Sequence, residues 1–331
     1  MNKQNAAALL VSLCLLLAPG VPALALDADR LVPVGSAVGI RLDADGVLVV
    51  GLADVKTASG TLRPAEAAGL RVGDLVTRVG ERKTDSAAAF LTAVSELDGQ
   101  PVTLTAEREG ETVELTVTPA QTVNGAWQLG LWLRDGVSGI GTVTFYDPVS
   151  GTFGALGHGV NDLDTGALLP FGEGAITGAR VVDVVPGAAG RPGELCGEFD
   201  ADTEKGVLRR NTTSGIFGVA DWQDCGECLP VASEDETELG PASILCCVSG
   251  DEVREYSVEI SRIYRSPEDH RFLMLTVTDE ALLSTTGGIV QGMSGSPIIQ
   301  NGKLIGAVTH VLINDATRGY GISIRDMLAA A

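Results

Sequence analysis

The sequence predicts a mainly β fold in two domains. A chain of 331 residues is long enough for two separate cores. Its 42 glycines and only 4% aromatic residues suit many short strands joined by tight turns. Short apolar runs alternate with polar residues along the chain, and Asn301-Gly302 stands between two of them, Ile298-Ile299 and Leu304-Ile305, the strongest short-range hairpin signal there is.

The formal charge of −20 leaves few basic residues to neutralise phosphates, which argues against a nucleic-acid partner and disfavours anionic membrane surfaces. At the N-terminus, Lys3 precedes the largely apolar run Ala6 to Ala18, and the small-residue pattern Ala23-Leu24-Ala25 follows. Residues 1–26 therefore read as a signal peptide, with an uncleaved membrane tether as the alternative. Either outcome exports the rest of the chain, where disulfides are permitted.

Residues 34–120 form the first domain. Val47 to Val50 is a buried strand, Pro64 to Leu70 a short helix with proline near its start, and Asp74 to Val79 a second strand. Ser86 to Leu97 places Phe90, Leu91, Val94 and Leu97 at helical spacing behind Ser86 as N-cap. Val102 to Glu107 and Thr112 to Thr118 alternate around Gly110 and read as a closing hairpin. Pro64-Ala65-Glu66-Ala67-Ala68-Gly69-Leu70 with Gly73-Asp74 resembles the most recognisable segment of PDZ domains. Val38-Gly39-Ile40-Arg41-Leu42 is similar to their carboxylate-binding loop and first groove strand. The resemblance implies that Gly39, Ile40 and Leu42, with the helix from Ser86, hold an extended peptide ligand.

Residues 125–331 form the second domain. Trp127, Leu129, Leu131 and Leu133 alternate on a half-buried strand, Val143 to Tyr146 is the next, and Asp147-Pro148 turns it. The acidic stretch Gly193 to Asp251, with its run Glu234, Asp235, Glu236 and Glu238, is expected as a solvated loop. Val253 to Tyr264 and Phe272 to Val277 are strands, and Ile324 to Ala330 a short helix.

The chemistry concentrates at Gly292-Met293-Ser294-Gly295-Ser296-Pro297. Bare backbone at Gly292 and Gly295 lets the chain turn tightly, so that the amides of Gly292 and Ser294 can point at one oxygen as an oxyanion hole, with Ser294 as nucleophile. A serine hydroxyl needs a base, and the base needs a third group to orient it. His158 lies between two glycines, with no neighbouring side chains to pack against, and is the expected base. His270 sits in a polar loop, and His310 follows a strand that would line the substrate cleft. Asp162, Asp164 and Asp279 are the acids available by position.

Gly292 to Pro297 resembles the Gly-x-Ser-Gly-Gly-Pro segment of chymotrypsin-like serine proteases. Together with Gly157-His158-Gly159, Thr278-Asp279 and the run from Gly288, it is similar to the stage IV sporulation protein B peptidases over nearly all of the chain beyond the signal segment. That resemblance implies a PDZ domain followed by a chymotrypsin-like double β-barrel, with Asp279 orienting His158 and His310 in the substrate pocket. It implies a serine endopeptidase without cofactor that cleaves itself and a protein regulator of an intramembrane metalloprotease, between mother cell and forespore. In ordinary chymotrypsin-like enzymes the acid lies well before the serine, so Asp279 departs from their pattern. The competing class is a PDZ-linked scaffold without turnover.

Of the cysteines, Cys14 falls in the signal segment. Cys225-x-x-Cys228 with Cys246-Cys247 counts enough thiols for zinc, but adjacent cysteines are poor tetrahedral partners, so disulfides are expected rather than a metal.

Overall fold

The computed structural model describes residues 28–331 apart from 224–225 and 265–270. The expected signal segment, His270 and Cys225 lie outside the described residues. The first module contains β1 (Ala37–Leu52), α1 (Pro64–Ala67), β2 (Leu75–Val79), α2 (Ala87–Ser95), β3 (Val102–Arg108) and β4 (Glu111–Val117). The Ser86 hydroxyl caps α2 by accepting from the Ala89 amide at 3.1 Å. The strand that follows, β5 (Leu131–Tyr146), is long, and β6 (Thr152–Ala155), β7 (Glu173–Val185), β8 (Glu194–Thr212) and β9 (Gly215–Val219) come after it.

These nine strands form two structures that share members. Strand β1 pairs with both β5 and β7, and the series β1-β5-β6-β9-β8-β7 closes on itself as a six-stranded barrel. The far half of β1 pairs with β2, which carries β3 and β4. Successive side chains on a strand face opposite sides. Val38, Ile40, Leu42, Ala44 and Leu48 of β1 accordingly join the barrel core, while Val47 and Val49 join the core under α1 and α2.

The two domains therefore exchange strands. Strand pairing crosses the expected boundary between 120 and 125: Ala37 to Asp43 pairs within the first barrel, and Leu131 to Arg134 pairs with Leu48 to Leu52 on the PDZ side. The two strands expected at 127–133 and 143–146 are largely one, because β5 runs unbroken from the PDZ sheet into the barrel.

The second barrel closes from β10 (Gly240–Cys246), β11 (Arg254–Ile263), β12 (Leu273–Val277), β13 (Pro297–Gln300), β14 (Lys303–Leu312) and β15 (Asp315–Ser323), in the order β10-β11-β12-β15-β14-β13. Helix α3 (Glu280–Thr286) precedes β13, and α4 (Ile324–Ala330) ends the chain. A third cluster, with Phe145 and Phe217 from the first barrel and Leu304, Ala307 and Ile322 from the second, joins the two barrels. The double β-barrel expected from the resemblance is thus present in the topology.

The acidic stretch is only partly a loop. Residues 194–219 are strands β8 and β9 of the first barrel, while Glu234–Glu236 forms an exposed 3-10 turn in which Glu236 pairs with Lys303. The expected disulfides are absent among the described residues. Cys196, Cys228, Cys246 and Cys247 are free thiols, the last two fully buried, and no metal-binding group of side chains occurs there.

Candidate active site

Ser294 sits in the loop between α3 and β13, which is held as a tight turn. The Met293 carbonyl accepts from the Ser296 amide at 3.0 Å and from the Ser296 hydroxyl at 2.7 Å, and the Gly295 amide donates to the Val308 carbonyl at 2.7 Å. Gly295 has φ +97°, and a Cβ there would lie 2.0 Å from the Thr142 carbonyl oxygen. Only glycine fits that conformation and that approach.

The loop leans on β5. The Thr142 hydroxyl donates to the Gly292 carbonyl at 2.8 Å and the Thr142 amide to the Ser294 carbonyl at 3.1 Å. The amides of Gly292 and Ser294 meet no acceptor among the described residues. Two unengaged amides flanking a serine are the donor arrangement an oxyanion needs.

His158 reaches the same place from the first barrel. Leu156 and Gly157, both left-handed at φ +69° and +70°, turn the chain sharply after β6. Gly157 packs on Thr309, whose carbonyl accepts the Ser294 hydroxyl at 2.7 Å. The His158 ring lies 5.0 Å from the ring of His310, the next residue. The fold thus gathers Ser294, His158, His310 and the Gly292 amide at the seam between the barrels.

The tautomer of His158 follows from its one hydrogen bond. Nδ1 is 2.8 Å from the Gly159 carbonyl, which can only accept, so Nδ1 carries the proton and Nε2 is left as the basic nitrogen. Burial pushes the imidazole below its ordinary range, and the Gly159 carbonyl works weakly against it. Asn211 anchors the adjoining backbone: its Oδ1 accepts from the Val160 amide at 2.9 Å, and its Nδ2 donates to the carbonyls of Val160 at 2.9 Å and Leu169 at 3.1 Å.

Asp279, the expected orienting acid, makes no hydrogen bond to His158 among the described residues. It is the N-cap of α3, where its carboxylate accepts from the Leu282 amide at 3.0 Å and the Ser257 amide at 3.4 Å. Asp162 and Asp164 do not orient the ring either; both are held by Arg134, at 2.5 and 2.6 Å. Sequence reasoning missed Thr142, Asn211 and the Gly159 carbonyl. No motif marks such supports, because each depends on register between distant strands.

The peptide groove is also displaced from its expected position. Gly39 pairs with Ile140 and Thr177, Ile40 with Gly139 and Ile176, and Leu42 with Val137 and Gly174. Both edges of that segment are occupied inside the barrel, so no further strand can add there. The open groove, about 590 Å³, lies between α2 and residues 125–133, lined by Phe90, Leu91 and Val94 on one side and Leu129 to Leu133 on the other. Leu129-Gly130-Leu131 repeats the apolar-glycine-apolar pattern of Val38-Gly39-Ile40, and that was the available signal. Gly130 has φ +75°, and the amides of Leu129 and Gly130 meet no acceptor among the described residues.

A double β-barrel with a serine, a histidine and two amides without an acceptor among the described residues at its seam, joined to a PDZ module, defines a serine endopeptidase. The chain belongs to the SpoIVB peptidase S55 family, whose model matches residues 125–328, and a PDZ domain model matches residues 38–118. Among solved structures it is similar to the PDZ domain of an SdrC-like protein from Listeria monocytogenes, at 21% identity over 27% of this chain and 87% of that one, TM-score 0.22. It is also similar to the active form of the Rv3671c protease from M. tuberculosis, at 16% identity over 59% and 72%, TM-score 0.32. The HtrA-type protease AlgW with a decapeptide gives 12% identity over 60% and 52%, TM-score 0.35. No curated protein matches the sequence.

Proposed function

We propose that this serine endopeptidase works with Ser294 as nucleophile and His158 as base, and that it acts outside the cytoplasm in sporulation signalling. The carrying observation is the pair of unengaged amides, Gly292 and Ser294, beside a hydroxyl that shares its seam with a neutral, Nδ1-protonated histidine. For attack, the Ser294 hydroxyl turns from the Thr309 carbonyl to His158 Nε2 and gives up its proton there as Oγ bonds to the substrate carbonyl carbon. The two amides hold the resulting oxyanion, and His158 returns the proton to the leaving amine. Water then releases the acyl group by the same steps. In this reading the Gly159 carbonyl holds the imidazole in the orientation and tautomer that a carboxylate supplies in other triads.

The finer reading comes from family membership and the signal-like N-terminus: export into the space between mother cell and forespore, self-cleavage, and cleavage of a protein regulator of an intramembrane metalloprotease. The PDZ groove between α2 and Leu129 to Leu133 would add an extended peptide as a strand and deliver it to the barrels. A second reading, a scaffold without turnover, is favoured by the Ser294 hydroxyl resting on Thr309 and by the lack, among the described residues, of a carboxylate hydrogen-bonded to His158. A small serine-reactive phosphonate separates the two. Stoichiometric labelling at Ser294 supports the peptidase, and no labelling of folded protein supports the scaffold.

A further inference from the structure

Two rings meet at the seam although the mechanism uses only one of them. The centres of His158 and His310 stand 5.0 Å apart, with their planes inclined at 35°. Two local irregularities bring them together. The left-handed turn at Leu156 and Gly157 carries His158 out of the first barrel. On β14 the pairing with β15 shifts register between Val308 and His310, and the Thr309 hydroxyl donates to the Tyr320 carbonyl at 3.2 Å. Such a bulge re-aims the side chain beside it. Neither ring is sealed off, since His310 is exposed and His158 half-buried.

The spacing suits a shared metal ion. Imidazoles bound through nitrogen to one tetrahedral zinc ion, with bonds of about 2.0 to 2.1 Å, have ring centres about 5 Å apart. The hydrogen bond from His158 Nδ1 to the Gly159 carbonyl at 2.8 Å prepares that ring for the same task. Metal-binding histidines commonly donate their second nitrogen to a backbone carbonyl, which fixes the tautomer and leaves the other lone pair for the ion. Imidazole favours zinc over magnesium or calcium, which take oxygen ligands. The described residues hold no group of three or more side chains suited to a metal. Two histidines are half of such a group, so water completes the coordination and the ion stays exchangeable. The adjacent thiols Cys246 and Cys247 do not compete for it, being buried in the core of the second barrel.

We propose that His158 and His310 together bind a zinc ion, and that zinc reversibly inhibits the peptidase. The ion occupies the Nε2 lone pair that would accept the Ser294 proton, so a zinc-bound His158 cannot act as base. The binding stands on the two rings; the inhibition rests on His158 being the base.

The chain has three histidines, so its imidazole NMR signals are few, and His158→Gln and His310→Gln assign them. Zinc chloride is expected to move the His158 and His310 signals along one saturation curve, while magnesium chloride moves neither. Zinc should also slow phosphonate labelling of Ser294, and a chelator should restore it. His310→Gln should raise the zinc concentration for half-maximal inhibition by about tenfold or more. Each inhibition curve is scaled to that protein's own rate without zinc, so it does not depend on the basal activity of the variant. Zinc that moves one ring alone or neither, an equal response to magnesium, or half-maximal inhibition unmoved by His310→Gln overturns the proposal. Movement of both rings in a protein whose Ser294 stays unlabelled even without zinc overturns the catalytic reading instead and leaves the metal site standing.

Discussion

The hydroxyl of Thr142 donates to the carbonyl of Gly292 at 2.8 Å, across 150 residues of sequence, and so holds the Gly292–Met293 peptide unit that lies between the two oxyanion donors. Thr142→Val keeps the shape and removes that bond. Deleting an oxyanion donor outright costs roughly 10² to 10³ in kcat. Misaiming one by losing its support should cost about tenfold, with KM nearly unchanged. Steady-state kinetics normalised to phosphonate-labelled sites make the comparison. An unchanged kcat with fewer labelled sites would show that Thr142 serves folding alone.

The pH profile reports what orients His158. Only the neutral imidazole can accept the Ser294 proton, so activity falls as pH drops through its pKa. Burial holds that pKa below the ordinary imidazole value of about 6.5. The acid limb of kcat/KM should therefore lie below that value. The same sign holds for stability. The unfolded histidine binds a proton more readily than the folded one, so its contribution is present at neutral pH and is lost as pH falls. An acid limb above the ordinary value would mean that a carboxylate pairs with His158 after all.

Asp279 separates the expected triad from the observed cap. Asp279→Ala should cost roughly 0.5 to 2 kcal/mol by uncapping α3. Asp279→Asn can still accept from the Leu282 amide and should keep activity within a few-fold. Chemical denaturation and kcat/KM on the same preparations check both. A stable Asp279→Asn protein with activity down about 10⁴-fold, the loss seen when a triad aspartate is replaced, restores it as the acid.

The displaced groove predicts opposite behaviour for two substitutions. Leu91 lines the groove yet is 64% exposed, so Leu91→Glu should leave the fold intact. It should slow cleavage of a protein substrate while small-phosphonate labelling of Ser294 stays the same. Gly39→Asp should destabilise the first barrel, because its Cβ would lie 2.6 Å from the side chains of both Phe199 and Thr177 on the barrel's outer face. A folded Gly39→Asp protein with selectively impaired protein cleavage would return the groove to Gly39.

Local signals survived into the structure where a few adjacent residues decide the outcome. Asn301 and Gly302 both take positive φ, +51° and +72°, as the two-residue hairpin turn between β13 and β14 demands. Ser86 caps its helix, and the glycines around Ser294 make the turn their spacing suggested. What was illegible depends on register. Val38-Gly39-Ile40 and Leu129-Gly130-Leu131 look alike locally, and only the long-range pairing of β1 with β5 and β7 decides which one keeps a free edge. Asp279 at a strand end looks the same as a helix cap and as a catalytic acid. Outward Glu194, Glu198 and Glu204 disguised β8, whose Leu195 and Leu208 are buried.

The most direct test of the account is Ser294→Ala assayed beside wild type on an unfolded protein substrate, in preparations free of other proteases and matched for folded protein. Ser294 is partly exposed in its loop, and its hydroxyl makes one hydrogen bond, to the Thr309 carbonyl. The variant should therefore fold as wild type does. Loss of a nucleophile lowers kcat by roughly 10⁶ in a well-studied serine protease. The account expects no detectable cleavage by Ser294→Ala where wild type cleaves readily. Equal turnover by the two proteins would contradict it.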